Sequence, residues 1–149
     1  MILVECDRIS QINNKRVVIT WSGGLDSTAL ILLIIRDYGC DVFPLFINRG
    51  QGNYEEEKKA VNYYNTQFSS DHSLKYNQVV EIEVPIPPQK FREMMSESIS
   101  HKLRNSDIIN QAVRYALYVD AEIVAVGSLT PIEYGKTVLN NTSKVKLTK

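Results

Sequence analysis

Cysteine is scarce: Cys6 and Cys40 are the only two in 149 residues, and neither lies in a Cys-x-x-Cys pair. This excludes a disulfide scaffold and suits two structural thiols in a reducing cytoplasm, where the chain is expected to reside. An excess of charge of one sign is also missing. Lys and Arg number 17, as do Asp and Glu. A balanced chain offers no broad electrostatic footprint for duplex nucleic acid or an anionic membrane, so neither is an expected partner. The longest apolar run, Ala29–Ile35, is far short of the roughly 20 residues that span a bilayer. The start carries Glu5 and Asp7 and shows no basic segment, apolar core or cleavage site of a signal peptide. Histidine is limited to His72 and His101, both read as solvent-facing bystanders rather than ligands. Glycine is sparse too, with seven in all, yet two stand side by side at Gly23-Gly24.

Those two glycines lie in the most informative stretch of the chain. Val17–Trp21 is an apolar, β-branched run that stops at Ser22-Gly23-Gly24, and an apolar helix pattern starts after Asp26-Ser27. Strand, tight turn and helix start together form an anion-binding device. Glycines let the backbone turn its N–H groups inward. The helix start adds unpaired donors and the positive end of its dipole. Ser22, Ser27 and Thr28 add hydroxyls for phosphate oxygens. Asp26 suits an anion site when a Mg²⁺ ion stands between carboxylate and polyphosphate, and it is also a helix-cap residue.

The rest of the chain alternates strand and helix. Ile2–Cys6 reads as a short edge strand or an extended lead-in, and 11–15 as a turn. Arg16–Trp21 reads as a strand buried on both faces, and Asp26–Tyr38 as a helix closed by Gly39. Asp41–Asn48 is the next strand, with Pro44 inside it marking a bulge or an unpaired N–H position. A loop at 49–53 precedes a helix over Tyr54–Ser70, which Asn53 and Glu56 are placed to cap, with Ala60, Val61, Tyr64 and Phe68 as its buried stripe. Gln78–Val84 reads as a strand. Lys90–Lys102 reads as a helix with Phe91, Met94, Met95, Ile99 and Leu103 as core, and Asn105–Val119 as an amphipathic helix. Ile108, Ile109, Ala112, Val113, Ala116 and Leu117 line its apolar face. Glu122–Val126 is the last strand, ending at Gly127-Ser128. Alternation of this kind predicts a single α/β domain, a parallel sheet with helices on both faces. Ligands then sit beyond the carboxyl ends of the strands, where the loops after 21, 48, 84 and 127 meet.

Ser22–Ser27 has the form SGGxDS after a first strand, and in this the sequence resembles the PP-loop ATP pyrophosphatases. The resemblance implies a Rossmann-like fold of the adenine nucleotide alpha-hydrolase type and cleavage of ATP between its α and β phosphates. Two further segments are similar to the 7-cyano-7-deazaguanine synthases of queuosine biosynthesis. Phe46–Gly52 contains their Gly-Gln loop at Gly50-Gln51, and Leu103–Gly127 carries Arg104-Asn105, Tyr115-Ala116, Ala121-Glu122 and Gly127 in step. The match covers about 15–128, and 129–149 reads as a diverged or incomplete tail. Three departures stand out. Asn48-Arg49 and Gly52-Asn53 replace the usual neighbours of the Gly-Gln pair. Ser128–Thr137 differs from the segment that grips the deazapurine in that family. No cysteine follows Cys40, so the family's four-cysteine zinc site cannot form within this chain.

The resemblance implies an ATP-dependent carbon–nitrogen ligase that adenylates a deazapurine-like carboxylic acid and then amidates it with ammonia. ATP would lie against Thr20, Trp21, Ser22, Gly23, Gly24, Leu25, Asp26, Ser27, Thr28, Phe46 and Gly127, with Mg²⁺ at Asp26. Asp26 and Arg104 would act on the reacting charge. Arg49, Gln51, Asn105 and Lys136 are the expected substrate contacts, with helix capping the competing role for Asn105. Gly135-Lys136-Thr137 is half of a Walker A loop, but Thr130 stands where that motif needs glycine. Three other readings compete: another acceptor such as a tRNA base, an antiviral-system substrate, and a non-catalytic ATP-binding module in a complex. The absence of a Cys-x-x-Cys pair counts against thiolation. A homodimer and a separate partner protein both stay open.

Overall fold

The computed structural model describes residues 3–4, 12–94, 97–128 and 144–148, with side chains over 12–94 and 104–127. Its elements are β1 (Leu3–Val4), β2 (Arg16–Thr20), α1 (Leu25–Tyr38), β3 (Asp41–Asn48), α2 (Tyr54–Ser70), β4 (Val80–Glu83), α3 (Gln89–Met94), α4 (Glu97–Tyr118), β5 (Ile123–Ser128) and β6 (Lys144–Thr148). They form one six-stranded sheet in the order β1-β6-β5-β2-β3-β4. The four strands β5, β2, β3 and β4 are parallel, as the α/β alternation predicts. Beyond β5 the sheet turns antiparallel: β6 pairs with β5, and β1 pairs with β6.

The central strand β2 divides the core. Val17 and Ile19 point to one face, where α1 and α2 bury Ile31, Ile34, Val61 and Phe68. Val18 points to the other, where α4 lays Ala112 and Ala116 against it. Small residues at 112 and 116 let that helix approach the sheet closely. Helices therefore cover both faces, as expected. The chain leaves β2 through α1 toward β3 and comes back through α4 to β5 on its other side. Such a reversal is a topological switch point, and it opens a crevice at the carboxyl end of β2.

Several local expectations are corrected. Of the two readings of Pro44, the bulge is absent and the unpaired position holds: the register against β2 runs unbroken from Arg16↔Asp41 to Thr20↔Leu45. On the other side Val42 bridges Tyr76, and β4 starts only at Leu45↔Val80. By the alternation of a parallel ladder, Pro44 faces that interruption, where its missing N–H costs nothing. Asn53 makes no side-chain cap on α2; its Nδ2 donates to Glu57 Oε1 at 3.1 Å instead. Asp26 does not cap α1, whose N-cap is Gly24. Asn105 is no cap either, because it lies inside α4, where nothing from Glu97 to Tyr118 breaks the helix. Phe91 and Met94 are exposed rather than core, as are Val113 and Leu117. Cys40 is buried and free, and burial pushes its thiol pKa up. Cys6, Met95 and Lys136 lie outside the described residues. Among the described residues no helix is long and apolar enough to cross a membrane.

Candidate functional site

The Ser22–Thr28 loop leaves the carboxyl end of β2 in the switch-point crevice. Gly23 has φ +76°, a conformation that strains any residue with a β-carbon. A β-carbon there would also stand 2.8 Å from the Glu57 carbonyl oxygen and 3.1 Å from Ala60 Cβ. The turn is thus pressed against the first turns of α2, and only glycine fits. Thr28 N–H donates to the Gly24 carbonyl at 3.1 Å, the first helical bond of α1. The amides of Leu25, Asp26 and Ser27 precede that bond and open toward the carboxyl edge of the sheet.

The loop's side chains divide into two sets. Ser22 and Asp26 are exposed at the loop surface, as is Leu25. Ser27 Oγ lies 3.3 Å from Ser22 Oγ and from the Gly24 carbonyl oxygen. Thr28 turns inward. Its hydroxyl donates to the Gly24 carbonyl at 2.7 Å and accepts from the indole N–H of Trp21 at 2.9 Å. Its only proton is spent holding the loop, so it is not offered outward. Trp21 is 2% exposed, stacks on Phe68 and meets Tyr76 edge-on. Its ring is core; only its backbone, bonded to the Leu45 carbonyl at 2.8 Å, borders the site. Thr20 ends β2, half-buried, paired between Leu45 and Val126.

A second loop, 49–53, leaves β3 beside the first. Gly50 has φ +70°, and Ile86 from the segment after β4 packs against its Cα. Asn48 Oδ1 accepts the Gly50 N–H at 3.1 Å. Gln51 is turned back into its own loop: Oε1 accepts the Arg49 N–H at 2.9 Å, and Nε2 donates to the Ile47 carbonyl and to Glu57. Both of its amide protons are used there. Phe46 is buried and stacks on Tyr54 at 5.8 Å. Arg49 is half-buried. Burial lowers the pKa of its guanidinium, Glu57 opposes that, and Arg104 adds to it. Arg104, exposed on α4, is thus one of the charges that act on Arg49. Asn105 is exposed beside it.

At the end of β5, a β-carbon on Gly127 would meet Ser27 Cα at 3.5 Å, so β5 ends against the start of α1. The structure thus brings Gly127 against the 22–28 loop and ties the Arg49 loop to Glu57 behind it. It places the Trp21 and Phe46 rings in the core. Among the described residues no three His, Cys, Asp or Glu side chains cluster as a metal site. A Mg²⁺ ion bound to phosphates needs only one or two carboxylates and keeps several waters, and Asp26 alone fits that mode.

Sequence reasoning missed Glu57. In the run Glu55-Glu56-Glu57 it reads as one of three solvated first-turn acids. It also missed Tyr54, Lys58 and Glu81, where Lys58 Nζ lies 2.9 Å from the Tyr54 hydroxyl and 3.1 Å from Glu81. Only the four-residue spacing of Tyr54 and Lys58 on α2 hinted at that group.

No family model matches the chain. It is 29% identical over 123 residues to 7-cyano-7-deazaguanine synthase 1 of Desulfitobacterium hafniense, covering 76% of this chain and 55% of that protein. The match thus spans about half the length of that curated relative. It is 42% identical over 45 residues to argininosuccinate synthase of Idiomarina loihiensis, 30% of this chain and 11% of that protein. Argininosuccinate synthase of Pseudoalteromonas atlantica matches at 41% over 56 residues, 36% of this chain and 14% of that protein. The two kinds of relative share one superfamily. The matches support the PP-loop ATP pyrophosphatases for this chain, and no single family among them.

Proposed function

We propose that the chain binds ATP in the 22–28 loop and serves an enzyme that cleaves it to AMP and pyrophosphate while activating a carboxylic acid. The observation that carries this is the Gly23 turn, left-handed and seated at the switch-point crevice beside the start of α1. Backbone amides there suit the β and γ phosphates, which leave as pyrophosphate. Ser22 and Ser27 hydroxyls supplement them. Mg²⁺ held between the phosphates and Asp26 would offset the charge that grows as the α–β bond breaks.

The acid's carboxylate oxygen attacks the α phosphorus, the bridging oxygen departs with pyrophosphate, and an acyl-adenylate results. Ammonia then attacks the acyl carbon, loses a proton and expels AMP. Arg104 and Arg49 supply the positive charge that draws an anionic acid to the crevice. No protein nucleophile is needed, since orientation and charge stabilisation carry this kind of transfer. The deazaguanine synthase relative, matched over most of this chain, favours a deazapurine acid over the argininosuccinate chemistry named by the shorter matches.

The test is incubation with Mg-ATP, ammonium and 7-carboxy-7-deazaguanine, with products read by mass spectrometry. The expected result is AMP with the amide or nitrile, both lost in the Ser22→Ala, Asp26→Ala double variant. AMP without a modified base would keep ATP cleavage and overturn the deazapurine. ADP in place of AMP would overturn both.

A further inference from the structure

We infer that Gln51 is a positioning residue that, with Glu57, forms a strut between the Arg49 loop and the Gly23 turn. The inference rests on the reading of residues 22–28 as the phosphate loop. Gln51 reaches both ways. Its Oε1 accepts the Arg49 N–H at 2.9 Å, and its Nε2 donates to the Ile47 carbonyl at 3.3 Å and to Glu57 Oε2 at 2.7 Å. Glu57 Oε1 accepts from Asn53 Nδ2 at 3.1 Å. Two amides thus clasp one carboxylate, and hydrogen bonds to a charged acceptor are the stronger kind. The other end of the strut is backbone: the Glu57 carbonyl oxygen lies against Gly23, 2.8 Å from where a β-carbon would be.

The arrangement solves an electrostatic problem. Glu57 is the residue whose backbone carbonyl lies against Gly23, and a free carboxylate beside a phosphate cradle repels the anion the cradle is built to hold. Clasped by Gln51 and Asn53, Glu57 is turned toward the 49–53 loop, where it serves as counter-charge to the half-buried Arg49. Removing the Gln51 amide leaves Asn53 as the one amide on the carboxylate, which loosens it toward the Gly23 turn, and unties the Arg49 loop in the same step. Gln51 therefore acts on ATP through Glu57, without touching it.

The experiment measures Mg-ATP binding by calorimetry for the wild type and for Gln51→Leu, Glu57→Gln and the double variant, with thermal unfolding checked for each. Gln51→Leu is expected to weaken Mg-ATP binding about fivefold, a coupling of ordinary size for neighbouring groups. Glu57→Gln removes the charge itself and is the reference against which the double variant is read. In the double variant the charge is gone, and binding is expected to return most of the way. Wild-type affinity in Gln51→Leu, or no recovery in the double variant, would overturn the strut. If the wild type itself binds no Mg-ATP, the phosphate-loop reading fails. The strut is then judged by amide hydrogen exchange: faster exchange at Arg49 and Gly23 in Gln51→Leu upholds it, and unchanged exchange overturns it.

Discussion

The carbonyl oxygen of Glu57 stands 2.8 Å from the place a β-carbon would occupy on Gly23, so the first turns of α2 hold the 22–28 loop from behind. Gly23→Ala must distort the loop or push the helix away. It is expected to destabilise the fold by about 1–3 kcal/mol, the usual cost of a strained backbone position. Gly52→Ala is the control, since nothing lies within 4 Å of its added methyl. Urea unfolding of both variants checks the contrast; equal stabilities would refute the packing argument.

Trp21 is the only tryptophan of the chain, and its indole N–H has Thr28 Oγ1 as acceptor at 2.9 Å. Thr28→Val keeps the shape and removes that acceptor. A buried N–H left without a partner costs about 1–3 kcal/mol. The variant is expected to lose stability and to shift the tryptophan emission excited at the red edge, beyond tyrosine absorption, which reports on this one ring. An unshifted spectrum with full stability would show that the bond is unimportant.

Glu81 carries a testable pH dependence. Its hydrogen bond from Tyr54, with the Lys58 ammonium beside it, holds its carboxyl below the usual carboxylate range. A pKa lowered on folding stabilises the protein above the unfolded value and is lost as pH falls through the folded one. The group is largely exposed, so the effect is small. Melting curves between pH 6 and 3 (about the span of carboxylate titration) are expected to fall less steeply for Glu81→Gln than for wild type. Identical slopes would remove the claim.

Cys40 is buried, with its Sγ donating to the Ile12 carbonyl at 3.0 Å. Burial raises its thiol pKa and keeps the reactive thiolate scarce. In a Cys6→Ser background, iodoacetamide is expected to label Cys40 only in denaturant. Rapid labelling of the folded protein would contradict the packing around β2 and β3.

Much of the fold was legible where one physical signal dominated. Asp41–Asn48 and Tyr54–Ser70 have the bounds their hydrophobic patterns predict. The edge-strand reading of Ile2–Cys6 holds at β1, but its antiparallel partner β6 was not legible, because Lys144–Thr148 has two lysines in five residues and reads as part of a polar tail. The Arg104-Asn105-Ser106-Asp107 run imitates a helix start, yet the helix runs through it because no glycine or proline intervenes. At the candidate site, Gly23-Gly24 and the exposed Ser22 and Asp26 were visible as a motif. The inward turn of Thr28 and the clasp on Glu57 were not, since both depend on partners that only the fold brings near.

The measurement closest to the central claim is Mg-ATP binding, with pyrophosphate as competitor, to the wild type and to Ser22→Ala, Asp26→Ala. If residues 22–28 hold the polyphosphate, the wild type binds Mg-ATP, pyrophosphate displaces it, and the double variant loses both. Binding that survives the double variant, or no binding by the wild type, would contradict the account.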